Sequence, residues 1–141
     1  MKDIVYKILM MLNLYDVQDE KGNWWLRIVD KDIGYFPAAL FSNMANADKV
    51  GWGGFTVTPA GSPSPPMGSG HFPNDDFIYG CYFINIAFQN ESRKDYGPVT
   101  DYVDQYNDAG TECYGVEYYG DQRGDVGYSL QFGGPGGGCK N

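Results

Sequence analysis

Val50-Gly51-Trp52-Gly53-Gly54-Phe55-Thr56-Val57-Thr58, followed after a Pro/Ser-rich gap by Met67-Gly68-Ser69-Gly70-His71-Phe72-Pro73, is the stretch on which the reading of this chain turns. Three glycines around one tryptophan point to closely packed backbones. Trp52 to Thr58 reads as a strand whose Gly53-Gly54 start marks a bulge or a close backbone approach. Prolines 59, 63, 65 and 66 forbid regular pairing in the gap that follows. The second block places the chain's only histidine in a tight, polar turn.

Working outward, the composition agrees with β structure. Twelve Tyr, eight Phe and three Trp suit half-buried pleated surfaces, while twenty Gly and eight Pro supply turns. With 141 residues, 43% of them hydrophobic, the chain fits one domain with a buried core. A net charge of −8 excludes the clustered Lys/Arg that nucleic acid or an anionic membrane would require. No run of about 18 apolar residues is long enough to span a bilayer. The start, through Leu14, faintly resembles a signal peptide but lacks a small-residue cleavage site, so it reads as a strand.

Upstream of the central stretch, Ile8 to Tyr15 fits a buried strand and Glu20-Lys21-Gly22-Asn23 a hairpin turn. Trp24 to Val29 alternates and Ile33 to Phe36 is extended. Pro37 suits a first helical position, and Ala38 to Asp48, with Leu40, Phe41, Met44 and Ala47 at helical spacing, predicts one short amphipathic helix. Downstream, Tyr79 to Gln89 is the longest β-like run, and Val99 to Tyr106 alternates again. Thr111 to Tyr119 and Val126 to Phe132 predict a final hairpin, with Val126, Tyr128, Leu130 and Phe132 on one face. The sum is an antiparallel β-sandwich, or part of one.

Three cysteines leave room for one disulfide and one thiol. The glycine-rich tail after Phe132 would fray unless pinned, and Cys139 is the obvious pin. Joining it to Cys113 would close a loop of about 25 residues and stabilise the fold by roughly 3 kcal/mol. Cys81, inside a strand, reads as a small buried apolar residue.

Chemistry is sparse. Ser69 and His71 lie two apart, but no Gly-x-Ser-x-Gly elbow is present, and a Ser/His hydrolase needs geometry that this spacing does not supply. His71 reads instead as a hydrogen-bonding residue that fixes neighbouring loops. One histidine with separated cysteines is too few ligands for a zinc site, and no cofactor is implied. Carboxylate-pair catalysis needs two acids about 5–9 Å apart. Most acids here sit in polar turns; Glu117, on the face of its strand opposite Val116 and Tyr118, is the one in-strand glutamate to test. A glycan- or peptide-binding groove lined by Trp24, Trp25, Trp52 and tyrosines is the alternative, although aromatic core packing explains most of them. Asn90-Glu91-Ser92 is an N-glycosylation sequon in a polar turn.

Gly22-Asn23-Trp24-Trp25-Leu26, Ile33-Gly34-Tyr35-Phe36-Pro37, Leu40-Phe41-Ser42, Trp52-Gly53-Gly54, Met67 to Pro73, Tyr82-Phe83-x-Asn85-Ile86, Cys113-Tyr114 and Gly133-Gly134-Pro135 occur in this order. Together they resemble the C-terminal part of the neprosin domain of plant proteins, over about residues 12–139 of the 1–141 chain. The resemblance implies a secreted, acid-active glutamic endopeptidase that cleaves next to proline, built as a two-sheet β-sandwich. It implies one glutamate as general acid and a second that activates water. Cys113 and Cys139 match the family's C-terminal disulfide.

The departures from the pattern decide the functional expectation. The family's first glutamate comes from an N-terminal half that is missing here, so the sandwich is expected to be incomplete. The second directly follows Trp-Gly-Gly, and here that position is Phe55. Phenylalanine neither shuttles a proton nor polarises water. On one strand face with Val57, it implies a cleft converted to apolar packing. The expectation is a truncated, catalytically inactive relative. The alternatives are an acid endopeptidase that recruits Glu117 and an aromatic-rich binding module. Expected partners are proline-containing peptides or the missing half-domain, and the expected location is extracellular.

Overall fold

The computed structural model describes residues 14–28, 31–41, 49–90 and 92–139. These fall into two compact units, one ending at Gly51 and the other running from Trp52 onward. The fold is mostly β, its sheets are antiparallel, and helix among the described residues is confined to short 3-10 turns.

The first unit is a meander of β1 (Leu14–Gln18), β2 (Trp24–Ile28) and β3 (Lys31–Phe36). The expected hairpin turn forms between β1 and β2. Gly22, at φ +79°, supplies the left-handed residue that closes it, and its N–H donates to the Asp19 carbonyl at 3.0 Å. The Asp19 carboxylate accepts from the backbone N–H of Lys21 and Asn23, the Asn23 amide and the Trp25 indole, all within 2.9 Å. These donors hold its pKa well below the usual carboxylate range, with the Trp25 bond the largest cause.

The predicted helix does not run unbroken from Ala38. Ala38–Leu40 forms a single 3-10 turn with Pro37 before it rather than inside it, and Phe41, at φ −119° and ψ 71°, has already left helical geometry. Leu40 is exposed rather than packed on a sheet. Residues 42–48 lie outside the described residues, as do 8–13 and Val29 of the expected strands.

The second unit is built on β8 (Tyr128–Gly133), the central strand between β4 (Cys81–Phe83) and β7 (Gly115–Asp121). A separate two-stranded hairpin joins β5 (Phe88–Gln89) to β6 (Asp95–Tyr96). The final hairpin matches its prediction with trimmed ends: Val126 precedes β8, and Thr111–Cys113 is a turn closed by the Cys113 N–H on the Gly110 carbonyl. Cys81, Ile86, Leu130 and Phe132 form the core, with Phe83 stacked on Phe132 at 5.3 Å.

Three strand expectations are corrected. Tyr79 to Gln89 is not one strand, because Asn85 adopts a left-handed conformation at φ +52° and breaks the run between β4 and β5. Val99 to Tyr106 holds a 3-10 turn, Thr100–Tyr102, instead of a strand. Trp52 to Thr58 keeps a strand's alternation of exposure but makes no ladder with any described residue. Its backbone crosses the ring of Phe132, on the face of the sheet, where no strand edge is offered.

The tail is pinned as expected. Cys113 and Cys139 are disulfide-bonded with Cα atoms 5.8 Å apart. Isolated bridges join Met67 to Gly134 and Ser64 to Gly137, the pairing that the proline-rich segment makes among the described residues.

Candidate functional site

The Trp-Gly-Gly segment is placed by the core face of β8. Trp52 packs against the apolar cluster. A Cβ on Gly54 would lie 2.4 Å from Met67 Sδ and 2.7 Å from the Phe132 ring, so glycine here is the condition for close approach. A Cβ on Gly53 would meet nothing, and that glycine faces outward. Two residues on, the Thr56 hydroxyl donates to the Tyr114 hydroxyl at 3.3 Å, which donates to the Pro65 carbonyl at 2.7 Å. Gly54 and Thr56 thus fix both sides of Phe55.

Phe55 itself points the other way. Its side chain and that of Val57 are each 66% exposed. They share a face, as the sequence predicts, but the expected apolar packing is absent; the pair forms an open apolar surface.

Ser69 and His71 occupy the predicted turn, and both are exposed. The Ser69 hydroxyl accepts from the His71 backbone N–H at 3.3 Å, a turn contact that leaves the imidazole out of it. The imidazole lies edge-on to the Tyr79 ring, 6.4 Å away. Cys81 is a free, buried thiol whose pKa burial pushes up, which suits packing rather than nucleophilic work. Asn90 stands exposed at the tip of the β5–β6 hairpin.

Glu117 is on the opposite side of the sheet. Its Cα pairs with Gln131, whereas Val116 and Tyr118 turn to the core cluster with Phe132 and Leu130. The carboxylate side chain is exposed. The Trp52–Gly54 contact and Glu117 therefore face away from each other across β8.

The face that carries Glu117 holds what the sequence did not disclose. Ser129 and Gln131 are completely buried. Gln131 Oε1 accepts from the Asn74 N–H at 2.9 Å and from the Tyr119 hydroxyl at 3.0 Å, and the Tyr119 oxygen accepts from the Asp75 N–H at 3.3 Å. Phe77 packs on Tyr82 and Tyr119 at 5.1 and 5.9 Å. Loop 74–80 is thereby fastened over β8. Burial pushes the Tyr119 phenol pKa up, and the negative charges of Asp75 and Glu117 add to the shift. No local signal reveals that Ser129 and Gln131 are buried, and the loop that covers Gln131 comes from some fifty residues upstream.

A half-open hollow of about 280 Å³ lies between Thr58, Pro59, Ser62 and Ser64 and the tail at Gly137 and Cys139. None of its lining side chains can exchange a proton near neutral pH.

No solved structure gives a significant match to the chain. A family model described as Neprosin matches residues 7–135, most of the sequence, and the chain belongs to the Neprosin family.

Proposed function

We propose that this chain is a non-catalytic member of the Neprosin family. The observation that carries the reading is Phe55, which follows Trp52-Gly53-Gly54 where the family resemblance expects a catalytic glutamate. The support beneath that position is intact, through Gly54 on Phe132 and Thr56 on Tyr114. What is presented outward is an aromatic ring with no proton to give or take. Glu117, the alternative carboxylate, lies on the other side of the sheet, which favours the same reading.

An acid-pH assay on proline-containing peptides tests this directly. The unmodified chain is expected to show no turnover, and turnover would overturn the proposal. Phe55→Glu restores a carboxylate at that position, so any activity it gains assigns the loss to that one side chain.

A binding role for extended peptides is the second reading, favoured by the exposure of Phe55 and Val57 together with Tyr102 and Tyr106 at 89% and 82%. It predicts retention of proline-containing peptides without cleavage, weakened by Phe55→Ala. Family membership and the Cys113–Cys139 disulfide support an extracellular setting for either role. Among the described residues, no helix is long and apolar enough to cross a membrane.

A further inference from the structure

The β5–β6 hairpin carries the sequon Asn90-Glu91-Ser92 on a turn whose geometry favours a sugar. The Arg93 N–H donates to the Asn90 carbonyl at 2.8 Å, and the Asn90 N–H donates to the Lys94 carbonyl at 3.2 Å. With Arg93 left-handed at φ +58°, these two bonds close the hairpin between β5 and β6. The Asn90 amide is oriented within it. Oδ1 accepts from the N–H groups of Ser92 and Lys94 at 3.0 and 3.1 Å, which turns it inward. Nδ2 is left on the outside, 3.4 Å from the Tyr96 hydroxyl.

Beside that nitrogen lies an aromatic plate. Phe88 is two residues before Asn90, so the pleat puts both on one face, and Tyr96 is the direct cross-strand partner of Phe88. The two rings are 6.3 Å apart and are 38% and 42% exposed. A hexose has one face of C–H groups that suits an exposed aromatic ring, through apolar contact and weak C–H interactions.

We propose that Asn90 is N-glycosylated and that its first sugar lies against Phe88 and Tyr96. The inference rests on the extracellular reading above. The donor is the lipid-pyrophosphate-linked oligosaccharide of the secretory pathway. Nδ2 attacks the anomeric carbon, the carbon–oxygen bond to pyrophosphate breaks, and the lipid pyrophosphate leaves with the electron pair. The amide loses one proton and keeps its second N–H for Tyr96. The sugar is added to the emerging chain, and the exposed hairpin tip then accommodates it without displacing a buried side chain.

The test is secretion of the full chain from a eukaryotic host behind an appended signal sequence. Peptide-N-glycosidase treatment is expected to give a single mobility step, which Asn90→Gln and Ser92→Ala both abolish. Ser92→Ala keeps the turn-forming asparagine and so separates loss of the sugar from loss of the hairpin. The glycosylated chain is expected to melt about 2–4 °C above Ser92→Ala, and the gain should vanish in a Phe88→Ala background that still carries the glycan. A secreted chain with no mobility step overturns the site, and an equal gain without Phe88 overturns the sugar–aromatic contact. Because the appended signal forces entry, failure of the chain's own extracellular routing would appear only in a parallel expression without it.

Discussion

Leu130 and Phe132 point from β8 into the hydrophobic cluster, whereas Ser129 and Gln131, their neighbours on the same strand, are at least as buried on the other face, where Gln131 meets a polar loop. The two faces are held by different forces. On the first, burial of ring and aliphatic surface is non-directional and tolerates any neighbour of the right volume. On the second, one amide oxygen receives two hydrogen bonds at fixed positions, so Gln131 fixes where loop 74–80 meets β8. The Trp-Gly-Gly segment belongs to the first face and Glu117 to the second. Position 55 therefore inherits its placement from the robust side of the sheet, and its chemistry can change without disturbing that placement.

Phe132→Ala gives the largest expected effect. It removes the ring that stacks on Phe83 and supports Gly54, and should cost about 3–5 kcal/mol in chemical denaturation. Hydrogen exchange should accelerate across β4, while loop 74–80 keeps its protection until global unfolding. Equal acceleration on both faces would show that they form one cooperative unit.

Gln131→Leu attacks the other face at nearly constant volume. It strips the acceptor from the Asn74 N–H and the Tyr119 hydroxyl, and should cost about 1–3 kcal/mol. Gln131 Nε2 has no hydrogen-bond partner among the described residues, so replacing the amide also relieves one uncompensated polar atom and pulls the loss toward the lower figure. Limited proteolysis within 74–80 should rise while the 52–58 segment stays protected. A loss as large as that of Phe132→Ala would erase the distinction between the faces.

The same contrast explains what could be read from the chain. The apolar side of β8 was legible because Leu130 and Phe132 repeat at period 2 beside Tyr128, and periodicity reports burial when apolar residues provide it. Ser129 and Gln131 obey the same period with the opposite chemistry, and over Gln131 the cover is loop 74–80, arriving from elsewhere in the sequence. Local propensity also overran the strand at Asn85, where asparagine's tolerance of the left-handed region breaks the run after β4, and at Trp52 to Thr58, where alternation persists without a ladder partner among the described residues. At the candidate site, Trp52, Gly54 and the disulfide were placed by pattern and cysteine arithmetic. The exposure of Phe55 was not, because a shared face with Val57 says nothing of what covers that face.

Glu117→Ala carries the smallest effect on stability and the sharpest meaning. The side chain is exposed, with β7 backbone pairing that alanine retains, so the change should stay within about 0.5 kcal/mol near neutral pH. Its electrical reach is measurable at Tyr119. Burial raises that phenol, and the Glu117 charge adds to the rise, so alanine should lower the tyrosine's pKa while leaving it above its ordinary value. For a group whose folded pKa is raised, the stabilising contribution is complete below the unfolded pKa of about 10 and is lost as pH climbs through the folded value. Glu117→Ala should therefore lessen the alkaline loss of stability. Ultraviolet tyrosine titration checks the first half and denaturation at high pH the second. Assayed on proline-containing peptides in acid, the variant and the parent should both be silent. A difference in turnover between them would move the chemistry from the Phe55 side of β8 to the Gln131 side, and with it the place where this fold does its work.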